Sequence, residues 1–108
     1  MLTRLWTTEF DVDRRFELET FAEEISRPMF EQMAGFLGHI YAISGATWLT
    51  QTFWESQPHI EACEESSAYQ AVVNRLMATG LLVGDQSTVV YLVAGLSLLD
   101  DEPGTLGL

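Results

Sequence analysis

Three tryptophans and three tyrosines carry most of the binding chemistry this chain can offer. Trp54 closes the run Ala46 to Glu55. Beside a pocket, its indole can stack on a flat aromatic ligand and donate one N–H. Trp6, Trp48 and Tyr41 offer similar stacking surfaces. Tyr69 and Tyr91 each carry a hydroxyl that can donate to a substrate oxygen. The competing reading for all six is packing: aromatic rings fill cores, and a buried Tyr satisfies its hydroxyl on a backbone carbonyl. The candidate assignment is therefore Trp54 as a catalytic residue, with Trp6, Tyr41, Trp48, Tyr69 and Tyr91 as ligand-binding residues.

His39 is the second catalytic candidate, because an imidazole can act as a base near neutral pH. His59 and Cys63 stand four apart and share a helix face if a helix forms there. Without a further patterned ligand they do not make a metal site, and no metal or other cofactor is expected. The pairs Glu23-Glu24 and Glu64-Glu65 read as solvated helix faces. Glu55 reads as a local cap or ion-pair partner. No Gly-x-Ser-x-Gly elbow or His-Glu-x-x-His run occurs, and the apolar stretch between Gly80 and Gly84 lacks the Lys of a phosphate loop.

These residues need a frame, and 108 residues allow one domain. A hydrophobic content of 47% is enough for a packed core and excludes general disorder. Acidic residues number 16 against 5 basic ones, all Arg, and the net charge of −11 repels phosphate. Nucleic acid and anionic membrane surfaces are therefore poor partners. The single Cys63 cannot form an internal disulfide. No signal peptide or apolar run of spanning length is evident, so the expectation is a cytoplasmic protein.

Hydrophobic periodicity orders the elements. Leu2 to Phe10 alternates and predicts a strand. From Arg14, the residues Leu18, Phe21, Ile25, Met29 and Met33 recur at helical spacing. Pro28 predicts a kink or restart near Ser26 and Arg27, and Gly35 a stop. Gly38 to Ser44 and Ala46 to Glu55 predict a hairpin about Ser44-Gly45. Ser56 and Pro58 open a second helical region, with a new start at Ser66-Ser67 and a stop at Gly80. Leu81 to Gly84 reads as a loop, Ser87 to Leu98 as a fourth strand, and 99–108 as a flexible tail.

The resulting order, β-α-β-β-α-β, is α+β and ferredoxin-like: a four-stranded antiparallel sheet with two helices on one face. Strand alternation puts Trp48 and Trp54 on one side, Leu49 and Phe53 on the other. The last strand sets Val90 and Leu92 opposite Val89, Tyr91 and Val93. Both sheet faces therefore read as apolar. Helices cover one, and a second copy is expected on the other.

Four stretches resemble the antibiotic-biosynthesis monooxygenase-like family of the dimeric α/β barrel superfamily. These are Gly35-Phe36-Leu37-Gly38, Thr52-Phe53-Trp54-Glu55-Ser56, the Ser66 to Tyr69 helix start, and the strand Val89 to Leu92. The resemblance spans Leu2 to Leu98. It implies a dimer, a pocket between sheet and helices, and oxidation of small hydrophobic aromatics without metal or flavin. A non-catalytic small-ligand-binding or accessory module is the alternative. Haem-degrading members use a strand-three Trp, matched by Trp54, with an Asn and a His. Here strand one offers Thr7 and Thr8, and Cys63 or Glu64 stands where the His falls.

Overall fold

The computed structural model describes residues 1–98, so the expected tail 99–108 lies outside them. The chain runs β1 (Leu2–Phe10), a 3-10 turn (Val12–Arg14), α1 (Arg15–Phe21), a π-helical turn (Ala22–Ser26) and α2 (Arg27–Glu31). It continues as β2 (Phe36–Ser44), β3 (Thr47–Trp54), α3 (Gln57–Glu65), α4 (Ser67–Ala78) and β4 (Leu82–Leu92). The sheet order is β2-β3-β1-β4, antiparallel at every pairing. This is the ferredoxin-like arrangement.

Local chemistry explains the breaks. Pro28 has no N–H for the carbonyl four residues back, and its ring crowds that carbonyl. The helix widens just before it, and the Arg27 N–H reaches back to Ala22 O. Ser66 is extended and divides α3 from α4. Its hydroxyl accepts the Tyr69 N–H at 3.1 Å and donates to Cys63 O at 2.7 Å. Gly35, at φ +80°, turns the chain from α2 into β2.

Three boundaries differ from the sequence reading. β2 starts at Phe36, two residues early, because a bulge lets Phe36 pair with Trp54 and Gly38 with Phe53. Leu82 to Gly84 belong to β4 and are not a loop. β1 pairs Thr8 with Gln86 but Phe10 with Leu82, and this irregular register hides the strand signal. β4 ends at Leu92 rather than Leu98, since β1 has run out of partners at Leu2.

Two clusters form the core between sheet and helices. One gathers Phe10, Leu18, Phe21, Ala22, Trp48, Leu76 and Leu81. The other gathers Met29, Phe30, Trp54, Ile60 and Cys63. Val72 packs against both. The opposite sheet face carries no helix. Its apolar residues collect toward one end: Leu5 and Phe53 are half-buried and Ile40, Val89 and Tyr91 exposed, with half-buried Leu49 at the boundary opposite Thr7. Thr7 pairs with Ser87 and Glu9 with Thr47 toward the other end, so that half is polar. The expectation of a wholly apolar second face is thus corrected to half of it. Among the described residues, no helix is long and apolar enough to cross a membrane.

Candidate functional site

The seam between the two core clusters contains a cavity of about 90 Å³. Its position follows from β3. On the helix-facing side this strand reads Trp48, Thr50, Thr52, Trp54, two large side chains flanking two small ones. The tryptophans fill the two ends of the interlayer space, and the threonines leave its middle open. Trp6, Met29, Phe30, Val72, Val73, Leu76, Met77 and Leu82 supply an apolar wall. Arg4, Tyr69, Thr50, Ser26 and Gln86 supply the polar groups. Ser26 belongs to the π-helical turn that precedes Pro28. An apolar hollow with a few convergent polar groups is the usual form of a small-ligand site.

Arg4 and Tyr69 are its chemical centre. Arg4 occupies the helix-facing side of β1 and is only 6% exposed. Its Nε–H donates to Glu64 Oε2 at 3.0 Å, and its Nη2 donates to the Tyr69 hydroxyl oxygen at 3.0 Å. A buried cation needs such partners, because isolated charge is costly out of water. Glu64 is half-buried and caps this arrangement from α3, so it is not merely part of a solvated face. Tyr69 accepts from Arg4, which leaves its own proton free to donate to a ligand oxygen. At the mouth, the Trp6 indole N–H donates to Gln86 Oε1 at 3.3 Å, and Gln86 Nε2 lies 3.3 Å from Met77 Sδ. These contacts tie β1, β4 and α4 together.

The structure brings only Trp6 and Tyr69 of the sequence candidates to this wall. Trp54 is 1% exposed within the second core cluster, and its indole N–H is committed to Thr52 Oγ1 at 2.8 Å. Trp48 does the same with Thr50 Oγ1 at 2.8 Å. Neither indole has an N–H left for a ligand, so both are packing residues here. Tyr41 leans on Trp48 with ring centroids 5.5 Å apart and donates its hydroxyl to Ala22 O at 3.1 Å. It borders a shallow surface groove with Arg15, Glu19 and Glu23, away from the cavity. His39 packs between Phe36 and Tyr41 on edge strand β2, outside the cavity wall. Tyr91 stands on the helix-free sheet face, opposite Thr3, and is 55% exposed.

Residues outside the cavity have local duties. Ser56 Oγ lies 2.6 Å from His59 Nδ1, and His59 packs against Gly35. Cys63 is buried, and that burial pushes its thiol up to about 11. Glu55 is exposed, and its backbone N–H bonds Gly35 O. Among the described residues, no three His, Cys, Asp or Glu side chains gather as a metal site.

Sequence reasoning passed over Arg4, Glu64, Gln86 and Thr50. The signal for Arg4 was present: it stands in phase with Trp6, Thr8 and Phe10, so alternation turns it toward the helices. Nothing local marked Glu64 or Gln86, whose partners lie 60 and 80 residues away.

The chain is a ferredoxin-like protein with a cavity between sheet and helices. Neither a protein-family model nor a curated sequence matches it. Solved structures do. It is similar to the monooxygenase ActVA-Orf6 of Streptomyces coelicolor, solved with nanaomycin D, at 17% identity and TM-score 0.73, covering 92% of both chains. It is similar to SnoaB, a cofactor-independent oxygenase from Streptomyces nogalater, at 12% identity and TM-score 0.69, covering 93% of this chain and 97% of that one. Rv0793 from Mycobacterium tuberculosis aligns at 17% identity and TM-score 0.64, covering 93% and 96%. What it shares with these structures is the fold.

Haem does not fit this hollow. A cavity of about 90 Å³ is smaller than a four-ring macrocycle, and among the described residues no His lies on its wall.

Proposed function

We propose that this chain is a homodimeric, cytoplasmic, cofactor-independent monooxygenase that acts on a small hydrophobic aromatic substrate held in the Arg4–Tyr69 cavity. The observation that carries the reading is the convergence of two donors, Arg4 and Tyr69, at one part of an otherwise apolar hollow. The fold shared with ActVA-Orf6 and SnoaB supports the reaction class.

A hydroxyaromatic substrate must be ionised to give an electron to oxygen readily. The Arg4 charge and the Tyr69 hydroxyl proton stabilise that oxyanion, and they do so strongly because the surrounding wall is dry. The electrons balance without a further reductant. In a dihydroxyaromatic with a free ring C–H, one oxygen atom replaces that hydrogen. The other leaves as water, and the product is the hydroxyquinone. The protein supplies binding, charge stabilisation and exclusion of water.

Oxygen uptake with a panel of single-ring dihydroxyaromatics tests this reading. Tyr69→Phe is expected to lower the rate by about 10²-fold, the usual effect of losing one oxyanion donor. Trp54→Phe is expected to leave it within about threefold, because its N–H is occupied by Thr52. No turnover by the wild-type protein across the panel removes the oxygenase reading.

A second reading is a non-catalytic homodimer that binds a small apolar ligand. It is favoured by one feature: among the described residues, none of the cavity-lining side chains is a His, Asp or Glu that could take a proton. Ligand-induced thermal stabilisation without product supports it.

A further inference from the structure

We infer that the cavity is a receptor for single-ring aromatic carboxylates, with Arg4 as the residue that selects the anion. This rests on the same cavity as the proposed function and narrows its ligand class.

Volume sets the ring count. An engineered hydrocarbon-lined cavity of about 150 Å³ holds benzene. The present hollow of about 90 Å³ is smaller and opens toward the Trp6–Gln86 mouth. The hollow therefore admits no more than one ring. Val72, Leu76 and Phe30 offer that ring an apolar slot.

Charge sets the substituent. Arg4 has five N–H groups. Nε–H goes to Glu64 and one N–H of Nη2 goes to Tyr69, and among the described residues no other hydrogen bond engages the guanidinium. No buried side-chain nitrogen or oxygen among the described residues lacks a partner. The Nη1 N–H groups therefore lie where a ligand or water reaches them, on a side chain that forms part of the cavity wall. A guanidinium edge with free N–H groups matches the two oxygens of a carboxylate better than a single hydroxyl. The Tyr69 proton adds a third donor at the same end. Glu64 does not compete from within, because it approaches through Nε, is itself 39% exposed and does not line the cavity.

Calorimetric titration of the full chain with benzoate and with benzamide, at pH 7 and without oxygen, tests the inference. The two ligands share shape and differ in charge. Benzoate is expected to bind about tenfold more tightly or better, the effect of one to two charge-assisted hydrogen bonds. In Arg4→Met that preference disappears while benzamide still binds, which reports an intact cavity. Equal or stronger binding of benzamide by the wild-type chain overturns the inference. That comparison needs no variant, so it decides even if Arg4→Met does not fold. The oxygenase reading fails separately: benzoate preference without oxygen uptake by any dihydroxyaromatic keeps the receptor and sinks the enzyme. Uptake without benzoate preference does the reverse.

Discussion

Tyr41 and Cys63 show how burial, rather than a charged partner, tunes single residues here. Burial pushes Tyr41 from 10.0 up to about 12 and Cys63 from 9.0 up to about 11. Both groups are neutral when protonated. As pH rises, the unfolded chain releases these protons first, so the folded state loses stability from about pH 9 upward and is unaffected by them below it. The melting temperature is expected to fall steadily between pH 9 and pH 11. Tyr41→Phe removes the part that begins above pH 10, along with the hydroxyl bond to Ala22 O. A melting temperature flat across that interval contradicts this account. The tryptophans make a related point. Their type and strand position were legible in the sequence, but their duty depended on a neighbour two residues along. The alternation Trp48-x-Thr50-x-Thr52-x-Trp54 already places an acceptor beside each indole. That pattern, read for hydrogen bonding instead of stacking alone, assigns both to the core.

Among the elements, the junction of α2 with β2 is a tight one. Gly35 adopts φ +80°, and a Cβ there collides with the His59 ring at the start of α3. Gly35→Ala therefore combines backbone strain of about 1–2 kcal/mol with a steric clash. In a His59→Ala background the ring clash is gone, and the strain remains together with the close approach to the Cβ of residue 59. Urea titrations of the four proteins should give a coupling energy of about 1 kcal/mol or more. Purely additive effects would show that the two residues do not meet. Element order, the hairpin, the break at Ser66 and the disturbance before Pro28 were all readable, because each depends on a Gly, Pro, Ser or apolar period acting over a few residues. The start of β4 was not. Leu82 to Gly84 shows neither alternation nor β-rich composition, and β1 pairs with it through an irregular register that only the assembled sheet reveals.

At the scale of the molecule, the described residues form a slab of 36 × 36 × 23 Å with helices on one side. The other side presents Ile40, Val89 and Tyr91 to water, beside Leu5, Leu49 and Phe53. Burial of such a patch yields about 25 cal/mol per Å², and a two-fold partner is the commonest way to cover it. The chain is expected to sediment as a dimer at micromolar concentration. Phe53→Glu, which places a charge in the apolar half of that face, should yield a monomer. A wild-type chain that sediments as a single protomer at this concentration removes the homodimer from the proposed function.

Composition, periodicity and turn chemistry determined the class of this protein: an acidic α+β chain with a ferredoxin-like sheet whose second face is in part apolar. Those properties are local or additive, so one strand of text carries them. The site is neither. Arg4, Glu64 and Tyr69 are joined by hydrogen bonds across 60 and 65 residues, and Trp6 meets Gln86 across 80. Where two core clusters fail to close, and which charge is left facing the gap, depends on side-chain volumes from six separate elements meeting at one seam. Only the folded chain sums them.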